Sequence, residues 1–145
     1  MDWWTAEDLE KFTVLGTKLA DQYSAKEALP EVYLNGKFNL GENIGDLGGV
    51  NAALEGLELF YKTNGRPEKI DGFTAEQRFF ISWATVWRTK MREDALRNLI
   101  KTDPHAPGMF RAYMPLTNVD AFYDAFNIKP EDNMYLKPDD RVKIW

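Results

Sequence analysis

Three glycines inside a stretch that otherwise reads as helix constrain this chain more than any other feature. Asn39-Leu40-Gly41-Glu42-Asn43-Ile44-Gly45-Asp46-Leu47-Gly48-Gly49 runs on into Val50-Asn51-Ala52-Ala53-Leu54. Gly45, Gly48 and Gly49 each cost about 1 kcal/mol relative to Ala in a helix. A helix built on them needs a compensating gain, and close approach of another backbone is one. In such a helix Glu42 and Asp46 lie four residues apart and project from one face, one turn after the other. Two carboxylates so placed suit a metal ligand followed by an outer acceptor that orients a partner ligand. They also suit a Gly-rich turn whose Asp and Asn cap a helix, and spacing alone leaves both readings open.

The rest of the chain supplies helices around this stretch. Thr5-Ala6-Glu7-Asp8 reads as an N-cap with acidic first-turn residues, and Leu9, Phe12, Leu15 and Leu19 recur at helical spacing, which predicts a helix over 5–24. Leu29 to Phe38 is broken by Pro30 and by Asn35-Gly36, so a short hairpin is expected near 30–40. From Glu42 to about Lys62 the apolar positions Val50, Ala53, Leu54, Leu57 and Phe60 or Tyr61 continue the helix, and Asn64-Gly65 with Pro67 ends it. Thr74-Ala75-Glu76-Gln77 is a capping box, followed by an aromatic helix face through Phe79, Phe80, Trp83 and Trp87 towards Met91. A short helix over 92–100 follows. Asp103-Pro104-His105-Ala106-Pro107-Gly108 then reads as a rigid loop, because two prolines remove donors and bias their predecessors away from helix. Asn118 is an N-cap candidate for an amphipathic helix ending at Phe126, and the stretch from Pro130 to Trp145 reads as irregular chain that packs back through Met134, Tyr135, Val142, Ile144 and Trp145.

Composition removes several function classes. At 145 residues, with 44% hydrophobic and 28% charged residues, the chain has the size and make-up of one folded domain. A net charge of −5 without a basic cluster counts against a nucleic-acid surface. No apolar run approaches the roughly 20 residues of a membrane span, so no membrane contact is expected from this segment. With no Cys there is no disulfide framework, thiol chemistry or Cys-ligated zinc. Met1-Asp2-Trp3-Trp4 is acidic and aromatic, unlike a signal peptide.

Several motifs together carry a family resemblance. Gly41-Glu42-Asn43-Ile44-Gly45-Asp46-Leu47-Gly48-Gly49 resembles the G-E-N-[IA]-[AG]-D-x-G-G signature of neprilysin-type zinc metalloendopeptidases. Asp103-Pro104-His105-Ala106-Pro107-Gly108-Met109-Phe110-Arg111 is similar to that family's D-x-H-[AS]-P-x-x-[FY]-R stretch. Met134 through Arg141-Val142-Lys143-Ile144-Trp145 resembles its closing M-x-P…[VI]-W, and Asp2-Trp3-Trp4-Thr5 its D-W-W-T, so the resemblance runs end to end.

The resemblance implies a mainly α fold, the helical C-terminal part of a thermolysin-like catalytic domain, with residues 1–145 forming a single, incomplete domain. The family's H-E-x-x-H helix needs two His, and this chain has one His in all. The expectation is therefore a chain that supplies one zinc ligand and is inactive alone, since a catalytic zinc takes about three protein ligands and a water. By the resemblance, Glu42 is the third zinc ligand and Asp46 accepts from a zinc-bound His. His105 donates to the developing oxyanion, Arg111 binds a substrate carbonyl, and Val86 with Trp87 helps line the pocket for the residue after the scissile bond. Read from residues alone, Arg111 could instead brace an acidic neighbour such as Asp46, His105 could be a packing or surface residue, and the Trp87 face could be core. The implied substrate is a short peptide. Lack of Cys leans towards a bacterial source, with the parent exported or cytoplasmic. A non-catalytic helical interaction module is the competing reading. An uncovered Glu42 face, lined by Gly45, Gly48 and Gly49, would favour self-association.

Overall fold

The computed structural model describes residues 3–144. Among them are helices α1 (Ala6–Ser24), α2 (Leu40–Asn64), α3 (Ala75–Val86), α4 (Glu93–Thr102), α5 (Gly108–Tyr113) and α6 (Asp120–Phe126), a hairpin of β1 (Glu27–Leu29) and β2 (Val32–Tyr33), and two 3-10 turns at Leu116–Asn118 and Pro138–Asp140. The mainly helical class read from the sequence is the class observed. The described residues fall into two compact units: the first holds the chain up to Gly45, Met91–Pro107 and the stretch from Val142 onward, and the second holds Asp46–Lys90 and Gly108–Arg141.

In the first unit, α1 starts where the sequence places its cap, with the Thr5 hydroxyl accepting from the Asp8 amide at 3.1 Å. Its buried residues are Gly16, Leu19, Ala20 and Tyr23, while Leu9 at the head of the expected stripe stays exposed. The hairpin forms with its turn at Pro30-Glu31, where Glu31 has φ 62°, earlier than the Asn35-Gly36 dipeptide suggests. Asn35 and Gly36 have other work. The Asn35 side chain accepts from the Phe38 amide at 3.0 Å, starting the turn into α2, and Gly36 packs so close to α1 that a Cβ there would overlap the Ala20 carbonyl. Leu34, Ile44, Ile100, Ala106 and Val142 are buried apolar residues of the same unit. Full burial of Val142 fixes the returning tail; Trp145 and the first two residues lie outside the described residues.

In the second unit, the capping box at Thr74 and Gln77 is present in both directions, at 3.2 and 2.9 Å. The Gln77 side chain also donates to the Ala125 carbonyl at 2.8 Å, joining α3 to α6. Phe80 packs edge-on against Phe122 at 5.4 Å, with Phe126 tilted beside both. α3 ends at Val86, and Trp87 stands at its C-cap, so the helix does not reach Met91. α5 was not legible as a helix: it is six residues long and follows two prolines. Asn118 is buried in a 3-10 turn, with its side-chain amide donating to the Met114 carbonyl, and Val119 rather than Asn118 precedes α6. The Tyr123 hydroxyl reaches Thr117 and accepts from the Leu136 amide, and Arg141 lies 3.4 Å over the Tyr123 ring, which ties down the strand-free segment before the tail.

α2 forms through the glycines as expected. Gly41, Gly45 and Gly49 lie at four-residue spacing, and a Cβ built on any of them meets no atom within 4 Å. The helix buries Asn43, Ile44, Asp46, Leu47, Val50 and Leu54 and leaves its small residues outward, including Ala53, which the sequence pattern places on the core stripe.

Candidate functional site

Two ion-pair constellations grow from the first two turns of α2. The first lies in the first unit. Glu42 stands in the opening turn of α2, where a carboxylate opposes the helix dipole favourably. Its Oε2 lies 3.1 Å from Nε2 of His105. The other ring nitrogen of His105, Nδ1, is 2.7 Å from Oδ1 of Asp103, and the same carboxylate oxygen accepts the His105 backbone amide at 2.8 Å. The imidazole is thus strung between two carboxylates. Asn39 ties the loop to the start of α2, its buried amide donating to the Pro104 carbonyl at 3.0 Å. Glu42 and His105 remain about half exposed, at 47% and 42%.

The second constellation lies in the second unit and is closed. Arg111 on α5 donates from Nε and Nη2 to the two carboxylate oxygens of Asp46, both at 2.7 Å. This is the parallel fork in which guanidinium and carboxylate match best. The side chains of Arg111 and Asp46 are 17% and 8% exposed. The guanidinium carbon sits 3.9 Å over the Trp87 ring, and the Trp83 indole donates to the Arg111 carbonyl at 3.0 Å. The bracing of Arg111 by Asp46, one of the two readings open at the sequence level, is present. Val86 and Trp87, adjacent in sequence, part company: Val86 is exposed and lines a cleft of about 530 Å3 with Ile70, Phe73 and Ile81, whereas the Trp87 ring lies under Arg111.

Asp103 and Asn39 carry geometry that no residue-by-residue assignment picked out. Asp103 opens the second of the two long motifs, and Asn39 stands two residues before the first. The Asp-x-His spacing was the available signal for Asp103, since an Asp two residues before a His can bond its amide and ring together. Among the described residues no group of three or more His, Cys, Asp or Glu is arranged to hold a metal ion. A half-exposed carboxylate held on one side by a His fits the part of a single zinc ligand, and the two residues together fall short of the three protein ligands of a catalytic site. No helix among the described residues is long and apolar enough to cross a membrane.

Comparison with known proteins gives the following. The profile described as Peptidase family M13 matches residues 1–142. The chain is 38% identical over 145 residues to a neutral endopeptidase of Lactococcus lactis subsp. cremoris, covering 99% of this chain and 21% of that protein. It is 34% identical over 149 residues to neprilysin of Mus musculus, covering all of this chain and 20% of that protein. Among solved structures, the crystal structure of the Mycobacterium tuberculosis zinc metalloprotease ZMP1 in complex with inhibitor superposes with a TM-score of 0.94 at 41% identity, over 100% of this chain and 23% of that one. The chain therefore spans about a fifth of the length of the curated relatives it matches.

Proposed function

The chain belongs to Peptidase family M13, and on that premise we propose that it forms part of a zinc-dependent endopeptidase acting on short peptides, in which Glu42 is one of the zinc ligands. The observation that carries this reading is the Glu42–His105 contact. A motif carboxylate and the only His of the chain meet at 3.1 Å, on a half-exposed surface open to further ligands.

The chemistry supplied by bound zinc is polarisation of a water and of the scissile carbonyl. The rest falls to side chains. Asp103 holds the Nδ1 edge of His105 and its amide, so the ring keeps its orientation when the Nε2 edge exchanges the Glu42 carboxylate for a substrate oxygen. A hydrogen-bond donor there acts on charge that develops only in the transition state. Asp46 fixes the plane of the Arg111 guanidinium, which binds a substrate carbonyl, and retains lone pairs for the ring N–H of a zinc-bound His from another part of the protein. The cleft beside Val86 supports a place for an apolar substrate side chain. Alone, the 145 residues are expected to bind zinc weakly and to cleave nothing. The open edge of α2 at Gly41, Gly45 and Gly49 supports close packing of a further helix in the complete protein, and self-association over the Glu42 face where that helix is missing.

The test is zinc content and cleavage of a short quenched peptide by the complete protein that carries this segment, with Glu42→Ala beside it. Stoichiometric zinc and zinc-dependent cleavage are expected, both lost in the variant. A variant that keeps full activity and full zinc sinks the ligand assignment. The competing interaction-module reading would be favoured by a complete protein that binds no zinc and cleaves nothing.

A further inference from the structure

Resting on that reading, we infer that Trp87 is a positioning residue that acts through Arg111, its indole face setting the tilt of the guanidinium that Asp46 holds by its edge. The Asp46 fork, with two donors at 2.7 Å, fixes the guanidinium within its own plane. Tilt out of that plane bends both hydrogen bonds only slightly, so a fork alone resists it weakly. A flat ring 3.9 Å beneath the guanidinium carbon removes that freedom.

The backbone around Trp87 is built to keep ring and guanidinium in register. A Cβ on Gly108, the first residue of α5, would come within 2.9 Å of the Trp87 carbonyl and 2.7 Å of the Thr89 hydroxyl. That carbonyl accepts from the Thr89 amide at 2.7 Å. α5 therefore seats on the Trp87 backbone at Gly108 and returns to the Trp87 ring at Arg111, one turn later. Trp83, one turn earlier on α3, holds the Arg111 carbonyl at 3.0 Å and meets the Trp87 ring edge-on at 5.8 Å. The choice of Trp over Phe points the same way. The indole N–H of Trp87 is buried with no hydrogen-bond partner among the described residues, a cost that Phe would avoid. What Trp adds is the ring face that attracts a cation most strongly.

The experiment uses the complete enzyme with Trp87→Leu, Trp87→Phe, Arg111→Met and the double variant Trp87→Leu/Arg111→Met. Substrates are three quenched peptides that differ only in the residue after the scissile bond: Phe, Leu or Ala. Trp87→Leu is expected to lower kcat/KM about tenfold, by the same factor for all three peptides. Trp87→Phe keeps the ring face and is expected to lose about threefold or less. In the Arg111→Met background, loss of the ring is expected to cost less than about twofold further. A loss that changes the preference among the three peptides by tenfold, or that persists undiminished without Arg111, would make Trp87 a pocket wall and overturn the inference. Should Trp87→Leu not fold, Trp87→Met, which also lacks the ring face, combined with Arg111→Met reads the same non-additivity. A wild-type enzyme that cleaves none of the peptides overturns the peptidase reading instead. The thermal midpoints of the same proteins then decide: a double variant that loses less than the sum of the singles supports the Trp87–Arg111 coupling, and additive losses overturn it.

Discussion

Glu42 with His105, and Asp46 with Arg111, are two contacts of one helix with the motif from Asp103 to Arg111, and they are built to opposite ends. The first is a single contact at 3.1 Å between half-exposed groups; the second is a double one at 2.7 Å, with its carboxylate 8% exposed. An exposed pair contributes about 1 kcal/mol or less, because water competes for both partners. A buried pair leaves an uncompensated charge when one partner goes, at a cost of about 3–5 kcal/mol. On the proposed function the difference separates two duties: a ligand and a donor that would exchange partners during turnover are left in reach of solvent, and a carboxylate that would hold an arginine still is sealed with it.

The contrast breaks most visibly at its closed end. Asp46→Asn keeps the shape and removes the charge, so the Arg111 guanidinium stays buried without its partner; stability is expected to fall by about 3–5 kcal/mol in thermal or urea unfolding of the complete protein. A loss below about 1 kcal/mol would mean that water reaches this pair as freely as the other. At the open end the large effect is on rate. His105→Gln is expected to lower kcat about 10²- to 10³-fold while leaving the thermal midpoint nearly unchanged. A midpoint drop as large as that of Asp46→Asn would make His105 a structural residue. Asp103→Asn retains an acceptor for Nδ1 without the charge, and a loss of about tenfold in kcat is expected. An unchanged rate would remove Asp103 from the site.

The helix starts at Thr5 and Thr74 were legible because a cap is a local signal, complete within four residues. Where partners are distant, legibility fails. Asn35-Gly36 carries the strongest hairpin signal in its stretch, yet Gly36 is taken by its contact with α1 and the chain turns earlier, at Pro30-Glu31. α5 spans less than two turns, too short for a period to show, and the prolines before it read as loop. The pairing of Asp46 with Arg111 joins positions 65 apart, so the sequence could offer it only as one use of Arg111 among two. That the ring of Trp87 faces Arg111 while Val86 faces a cleft depends on where α3 ends, and its aromatic stripe ran on past that point. The long motifs place Glu42 and His105 in one site by resemblance; the Asn39 tether to the Pro104 carbonyl that accompanies their meeting is one that no spacing rule predicts.

The smallest expected effect sharpens the contrast furthest. Glu42→Gln, compared with wild type when both are stripped of metal, is expected to change stability by less than about 1 kcal/mol. Gln keeps an oxygen for the His105 ring and fills the same volume, and its position in the first turn of α2 forfeits only the charge–dipole term of about 0.3–1 kcal/mol. Metal must be removed from both proteins, because a ligand bound only to the folded state would stabilise wild type by mass action and mimic a structural role. Under that condition a fall as large as that of Asp46→Asn would place the Glu42–His105 contact among the bonds that hold the fold, and the division between an exchangeable pair and a fixed one would no longer stand. A near-zero change, beside complete loss of zinc in the metal-replete protein, would show that this carboxylate is held in place by the helix and kept for a ligand.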